Sequence, residues 1–373
     1  MDKPFAFGVP VDGEYFIGRE AEIRRLSTLF KSGINVVLMS PRRMGKTSLV
    51  KIVAGMTESE DLIIIQMDAY PCRSEYDFYN AFAEAVISAT SSKIEEIARN
   101  AMDFIGRISP TISISGDNTA EYSVSFGITP KTHTPKEILD LPEKIAERKN
   151  CRIVVCIDEF QQIGEYPESL AVQKRLRSAW QNHKKVSYCL YGCKMHMMNA
   201  LFQKKNSPFY KFGENMPLSS IPLDEWQKYI CARFALNGKE IPASYVERIC
   251  EAVEYQSSYV QQLAWCILYN TVNTVDENVF RESLQDLIDQ NTPVFIEHTE
   301  HLTAYQVNFL HAVADGIKSG YGQEKIRVGY NLGAPSNIPR LKKALTDKDL
   351  IDYSLDGYSI ADPVFKLWFK KTF

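Results

Sequence analysis

An α/β fold with a parallel five-stranded sheet, then an all-α segment and a C-terminal winged helix, is the architecture this 373-residue sequence predicts. Three observations predict it. As far as about residue 222, short apolar runs alternate with stretches of helical periodicity, the pattern of a doubly wound parallel sheet. Beyond Pro222 the alternation gives way to helix after helix. Near the C-terminus, short helices precede two alternating runs around Asp356-Gly357, the strongest short hairpin signal. The expected divisions are 1–222, 223–298 (a small helical domain) and 299–373 (the winged helix).

The chain is organised around Asn35-Val36-Val37-Leu38-Met39-Ser40-Pro41-Arg42-Arg43-Met44-Gly45-Lys46-Thr47-Ser48-Leu49-Val50. An apolar run, a tight turn and a helix opening with Gly-Lys-Thr bring free backbone N–H groups and the positive end of a helix dipole to one point, which favours an anion. In the P-loop pattern G-x-x-x-x-G-K-[ST], Lys46 reaches the β- and γ-phosphates of a nucleotide and the Thr47 hydroxyl binds Mg²⁺. Ser40 replaces the first glycine of the pattern. Gly-Lys-Ser/Thr alone arises by accident on the order of 0.2 times in a chain this long. Its place between strand and helix carries the nucleotide reading; the alternative is a helix start with an incidental lysine. Expected nucleotide contacts are Ser40, Pro41, Arg42, Arg43, Met44, Gly45, Lys46, Thr47 and Ser48, in a P-loop NTPase core.

Ahead of the first strand, Ile23, Leu26, Leu29 and Phe30 recur at helical spacing. Tyr15, Phe16 and Ile17 suit an apolar seat for a base or an ordinary hydrophobic lead-in to that helix. Leu62 to Asp68 reads as a second buried strand, with helical spacing resuming at Phe78, Phe82 and Val86 and running to Phe104. Between about 110 and 130, Thr111 to Ser115 and Glu121 to Phe126 alternate on either side of Gly116-Asp117-Asn118. That is the signature of an inserted hairpin, either a partner-contact arm or an inert insertion. A helix is expected from Leu139 to Lys149.

The second chemical motif is Arg152-Ile153-Val154-Val155-Cys156-Ile157-Asp158-Glu159-Phe160, an apolar strand ending in two carboxylates. Open α/β sheets bind ligands at the carboxyl ends of their strands. Asp158 is expected to hold Mg²⁺ with Thr47, and Glu159 to accept a proton from an attacking water, the two side chains leaving the strand end on opposite faces. A solvated acidic strand terminus is the bland alternative. Val186 to Cys193 reads as a further strand, and Asn215 to Ile221 as the last. A polar group after Gly192 can touch the γ-phosphate or the water; Cys193 is a poor hydrogen-bonding substitute.

Helices are expected over Asp224–Leu236, Ala243–Tyr255 and Tyr259–Val272, with Trp226, Phe234, Leu263 and Trp265 in the core. Thr303 can cap a helix that stops at Gly316; Gln323–Tyr330 and Ser336–Leu345 supply two more, and the hairpin of Leu350–Ala361 completes a winged helix. Arg340, Lys342 and Lys343 on its third helix, with Lys325 and Arg327 nearby, suit DNA contact. Asp347, Asp349, Asp352 and Asp356 oppose it, leaving a basic face for protein or intramolecular docking as the competing use.

Lys plus Arg number 43 against 46 Asp plus Glu, so polyanion binding through overall charge is not expected and any nucleic-acid contact must be local. Eight cysteines lie scattered without a C-x-x-C pair, and no secretory leader is read, which fits reduced thiols in the cytoplasm. No apolar run reaches the roughly 18 residues that suggest a membrane span.

Together, Phe16-Ile17-Gly18-Arg19-Glu20, the Ser40–Leu49 loop, Cys156-Ile157-Asp158-Glu159-Phe160, Tyr259-Val260-Gln261-Gln262-Leu263-Ala264-Trp265 and Asp362-Pro363-Val364-Phe365-Lys366-Leu367-Trp368 resemble the archaeal-type AAA ATPases of prokaryotes. These belong to the STAND class of signal-transducing P-loop ATPases, related to AAA+ proteins. The resemblance implies a nucleotide domain, a helical lid and a winged helix, with Gly18 and Arg19 near base and ribose. Cys193 stands where relatives tend to carry Ser or Thr, Lys211 where many carry Arg, and Ser257-Ser258 where His-Pro often precedes the lid helix. Lysine lacks the planar fork that makes arginine effective on a phosphoryl group, so slow hydrolysis is expected. Glu159, Lys46, Cys193 and Lys211 are the candidate catalytic residues. The expected activity is a Mg²⁺-dependent ATPase acting as a conformational switch, with an unidentified protein partner and self-association left open. Alternatives are an ATP-gated DNA-binding regulator or replication-type loader and, more remotely, a small-molecule kinase.

Overall fold

A computed structural model describes residues 3–91, 134–354 and 356–373, together with the backbone of Thr111–Ile114 and Tyr122–Ser125. The chain forms two compact units, one of Glu20–Ser40 and Lys46–Leu218, the other of Met1–Arg19, Pro41–Gly45 and Ser219–Phe373.

The first unit is the sheet. Its strands are β1 (Val36–Met39), β2 (Leu62–Asp68), β5 (Arg152–Asp158), β6 (Val186–Gly192) and β7 (Glu214–Pro217), all parallel in the order β2-β5-β6-β1-β7; β3 (Thr111–Ile114) and β4 (Tyr122–Ser125) form a separate antiparallel hairpin. Every residue of β1 and β6 is buried, as both-face coverage by helices requires. Val37, Ile65, Val155, Ile157 and Leu190 join one cluster with Phe78, Phe82, Leu141 and Trp180. The intervening Leu38, Val154, Cys156 and Cys189 are buried as completely. Trp180 stacks on Tyr188 at 4.1 Å between centroids. Each such side chain contributes about 1.5–3 kcal/mol through removal from water. The pairings Met39↔Gly192 and Ile157↔Leu190 align the carboxyl ends of β1, β5 and β6. That alignment positions the site.

Several expected elements shift. The helix that precedes β1 is Glu20–Ser32 and packs on the helix Lys46–Thr57. The helix carrying Phe78 is Glu75–Ala89, capped by the Ser74 hydroxyl; the expected continuation to Phe104 and the hairpin tip lie outside the described residues. A new helix, Leu141–Lys149 with Pro142 in its first turn, follows the short helix Pro135–Leu139. β7 ends at Pro217, four residues before the expected Ile221.

In the second unit, helices Leu223–Leu236, Ala243–Ala252 and Ser257–Asn270 are followed by a 24-residue helix, Glu277–Glu300, that the sequence reading lacks. Asp276 caps it through the Val279 N–H, and Pro293 sits inside it. Next come Ala304–Ala314, with Thr303 in a capping box, then Glu324–Gly329, Ile338–Asp347, and the antiparallel pair β8 (Ile351–Ser354) and β9 (Gly357–Ile360). A closing helix, Pro363–Thr372, adds to the expected three; Pro363 occupies its first turn and Asp362 caps it. Trp226, Leu263, Leu287, Phe309, Leu345 and Phe365 belong to one continuous apolar cluster, so the helices after Pro222 and the winged helix share a core.

Candidate functional site

The turn after β1 is built from residues in the left-handed region: Arg43 at φ 63° and Gly45 at φ 86°. A Cβ added at Gly45 would project into open space. The helix begins at Lys46, and its side chain is 6 % exposed, with Nζ donating to the Ser40 carbonyl at 2.8 Å and the Ser40 hydroxyl at 3.2 Å. Keeping an ammonium that far from water costs energy unless acceptors or an anion meet it. One residue on, Thr47 Oγ1 donates to Asp158 Oδ2 at 2.7 Å. A residue from the first helical turn and one from the end of β5 thus meet although 111 positions separate them.

Burial pushes the Asp158 carboxyl up to about 6, and its bonds from the Thr47 hydroxyl and the Glu159 N–H pull the other way. Glu159 is not on an opposite strand face as expected: it leaves the strand in the left-handed conformation, φ 49°, at the start of the 3-10 turn Phe160–Glu165. Its Oε2 accepts from the Gln161 side-chain amide and from Cys193 Sγ at 3.3 Å. Lys46, Thr47, Asp158, Glu159 and Cys193 therefore gather at the aligned strand ends. Ser48 is buried one position further along the helix. Lys211 takes no part in these bonds; it is exposed, at φ 54°, with its ammonium 5.6 Å from the Tyr210 ring.

The N-terminal box and the loop arginines belong to the second unit. Arg19 is 2 % exposed and donates to the Ser219 carbonyl at 2.6 Å and the Met44 carbonyl at 3.1 Å, acting as a strut under the loop. At Gly18, φ 60°, a side chain would come within 2.7 Å of Ile221. Tyr15, Phe16, Ile17, Arg19, Met44, Trp226 and Ser257 line a small cavity of about 30 Å³. Arg42 donates to Asp349 at 3.1 Å. Arg43 pairs with Asp362 and lies 4.5 Å over the Tyr259 ring, while the Tyr259 hydroxyl donates to the same carboxylate at 2.6 Å. Ser258 N–H closes the arrangement on the Arg43 carbonyl at 3.2 Å.

Each of the three basic residues on the third helix of the winged helix has an intramolecular partner. Arg340 donates to Asn337 at 3.1 Å, and Lys343 pairs with Asp347 at 2.6 Å. Lys342 lies 4.7 Å from the Tyr358 ring and 5.1 Å from that of Tyr321, and burial lowers its pKa. All eight cysteines are unbridged. Among the described residues no helix is long and apolar enough to cross a membrane.

Sequence reasoning missed Gln161 and gave no role to Tyr259 and Asp362. The only signal for Gln161 was its place two residues after Glu159.

Sheet order, turn, strand-end cluster and C-terminal helices define the P-loop ATPase fold with a winged helix. Residues 293–371 match a family model described as "Probable winged helix domain". Three solved structures share the fold. The Walker-type ATPase paby2304 of Pyrococcus abyssi is 17% identical, covering 96% of this chain and 97% of its own, with a TM-score of 0.66. The ORC2 protein of Aeropyrum pernix, in ADPNP–ADP complexes, is 14% identical over 95% and 93% of the two chains, TM-score 0.53. The ORC1 protein of the same organism, in complex with DNA, is 13% identical over 96% and 94%, TM-score 0.51. No curated protein sequence matches the chain.

Proposed function

We propose that the protein is a Mg²⁺-dependent ATP hydrolase that works as a nucleotide-controlled switch, coupling ATP binding and hydrolysis to docking of its winged helix on a macromolecular partner. The observation that carries the reading is the bond between Thr47 and Asp158 beside a buried lysine. A hydroxyl and a carboxylate held 2.7 Å apart are the oxygen donors Mg²⁺ prefers, and Lys46 supplies a positive charge where a phosphate would lie. The donor set therefore fits the group the fold implies. Bound Mg²⁺ would neutralise phosphate charge; Lys46, Thr47 and Asp158 would hold the nucleotide and metal, and Glu159 would orient the water and take its proton. Support for the switch comes from Arg42 and Arg43, loop residues tied to Asp349 and Asp362 at the winged helix. Charge arriving at this loop would compete for those guanidinium groups.

Replacing Glu159 by Gln tests the chemistry: equilibrium ATP binding is expected to persist while phosphate release falls at least about a hundredfold. Turnover at the wild-type rate would remove Glu159 from its role. A second reading, an ATP-gated DNA-binding regulator, is favoured by the DNA named with the ORC1 protein. The packing of Lys342 on the Tyr358 and Tyr321 rings opposes it, whereas Arg340 and Lys343 are exposed. Fluorescence anisotropy with duplex DNA, with and without ATP, separates the two; salt-sensitive binding that ATP strengthens would favour the DNA reading.

A further inference from the structure

Gln161 is 2 % exposed, and its side-chain N–H donates to Glu159 Oε2. The same oxygen accepts from Cys193 Sγ, so both bonds use Oε2 and neither uses Oε1. The other end of the amide is unusual: Gln161 Oε1 is buried and has no hydrogen-bond partner. Turning the amide over would not help, because it would set that oxygen against the Glu159 carboxylate. Gly192 makes the arrangement fit, since a Cβ there would lie 1.7 Å from Gln161 Oε1 and 2.9 Å from its Cδ. Buried polar atoms are normally paired, so an orphan acceptor kept beside a candidate catalytic carboxylate asks for a reason.

We infer that Gln161 is a positioning residue that fixes the Glu159 carboxylate through Oε2 and leaves Oε1 for the water, with Gly192 as the space that keeps the amide in place. The inference rests on the proposed role of Glu159 as the group that orients the water. Glu159 leaves the strand with a left-handed backbone, so its direction is not set by strand geometry and a side-chain anchor is required. The amide supplies one donor at a fixed distance along the 3-10 turn, and the thiol of Cys193 supplies a second, weaker one.

The test is steady-state ATP turnover by the full chain carrying Gln161→Leu, an apolar side chain of similar bulk without donors. The expected result is a kcat lower by roughly ten- to a hundredfold, as for other misplaced catalytic groups, with KM and ADP affinity within about twofold of wild type. Gly192→Ala should reproduce that split by displacing the amide. Cys193→Ser in the Gln161→Leu background should recover part of the loss, because a hydroxyl is the stronger donor to Glu159. In a Glu159→Gln background, Gln161→Leu should cost nothing further. Should Gln161→Leu alone turn over at the wild-type rate while Glu159→Gln is inactive, the positioning role is wrong and the ATPase reading stands. If Glu159→Gln is itself fully active, both fall. Equal effects on KM and kcat with a lowered melting temperature, or a full loss still seen in the Glu159→Gln background, would reduce Gln161 to a packing residue.

Discussion

Asp158 is the side chain whose protonation the fold perturbs most usefully. Its carboxyl sits at about 6 in the folded chain against an ordinary value of 3.8, because burial disfavours the ion. A raised acid favours the folded state when protonated. Its contribution to stability is fully present below about pH 3.8 and is lost as pH rises through about 6. Without nucleotide and Mg²⁺, Asp158→Asn should therefore raise stability at pH 7.5 by about 1–2 kcal/mol, discounted for partial exposure, and change it little near pH 4. Thermal unfolding at the two pH values checks this; a loss of stability at pH 7.5 would contradict it. That Lys46, Thr47, Asp158 and Glu159 form a candidate site was legible in the sequence, because each lies in a short motif whose proposed chemistry asks for that residue at that spacing. Gln161 was not, since its meaning depends on a carboxylate turned by a left-handed residue and on space left by Gly192 in another strand.

At the scale of elements, Asp362 joins two tasks. Its Oδ1 caps the closing helix through Val364 and Phe365 N–H at 2.9 and 3.1 Å, and its Oδ2 receives Arg43 and Tyr259. Asparagine can cap but brings no charge. Asp362→Asn should cost about 0.5–1 kcal/mol, as expected for a half-exposed ion pair, and Asp362→Ala about 1 kcal/mol more through the lost cap. A double-mutant cycle with Arg43→Ala measures the first quantity; zero coupling would mean that the loop and the closing helix do not sense each other. The wing gives a second element-scale prediction. Gly357 has φ 113°, and a Cβ there would lie 2.3 Å from the Lys318 carbonyl. Gly357→Ala should lower stability by at least about 1 kcal/mol, read as a shift of the unfolding midpoint. The Asp-Gly turn, the Thr303 cap and five strands were readable from local signals. The helix over 277–300 was not, because Pro293 interrupts its pattern and its support includes tertiary packing of Phe280, Leu287, Ile288 and Phe295.

For the whole molecule, the proposed nucleotide is a ligand of the folded state. ATP with Mg²⁺ at a hundred times its dissociation constant should stabilise the chain by about 2.7 kcal/mol against unfolding. The pairing of Arg42 and Arg43 with Asp349 and Asp362 was hidden from sequence analysis because more than 300 residues separate the partners. The direct test of the central claim is equilibrium titration of ATP·Mg²⁺ against wild type and Lys46→Ala. Saturable binding by the wild type is expected, with an affinity at least about a hundredfold lower in the variant, equivalent to about 2.7 kcal/mol. Equal affinity in the two proteins, or no binding by either, would contradict it.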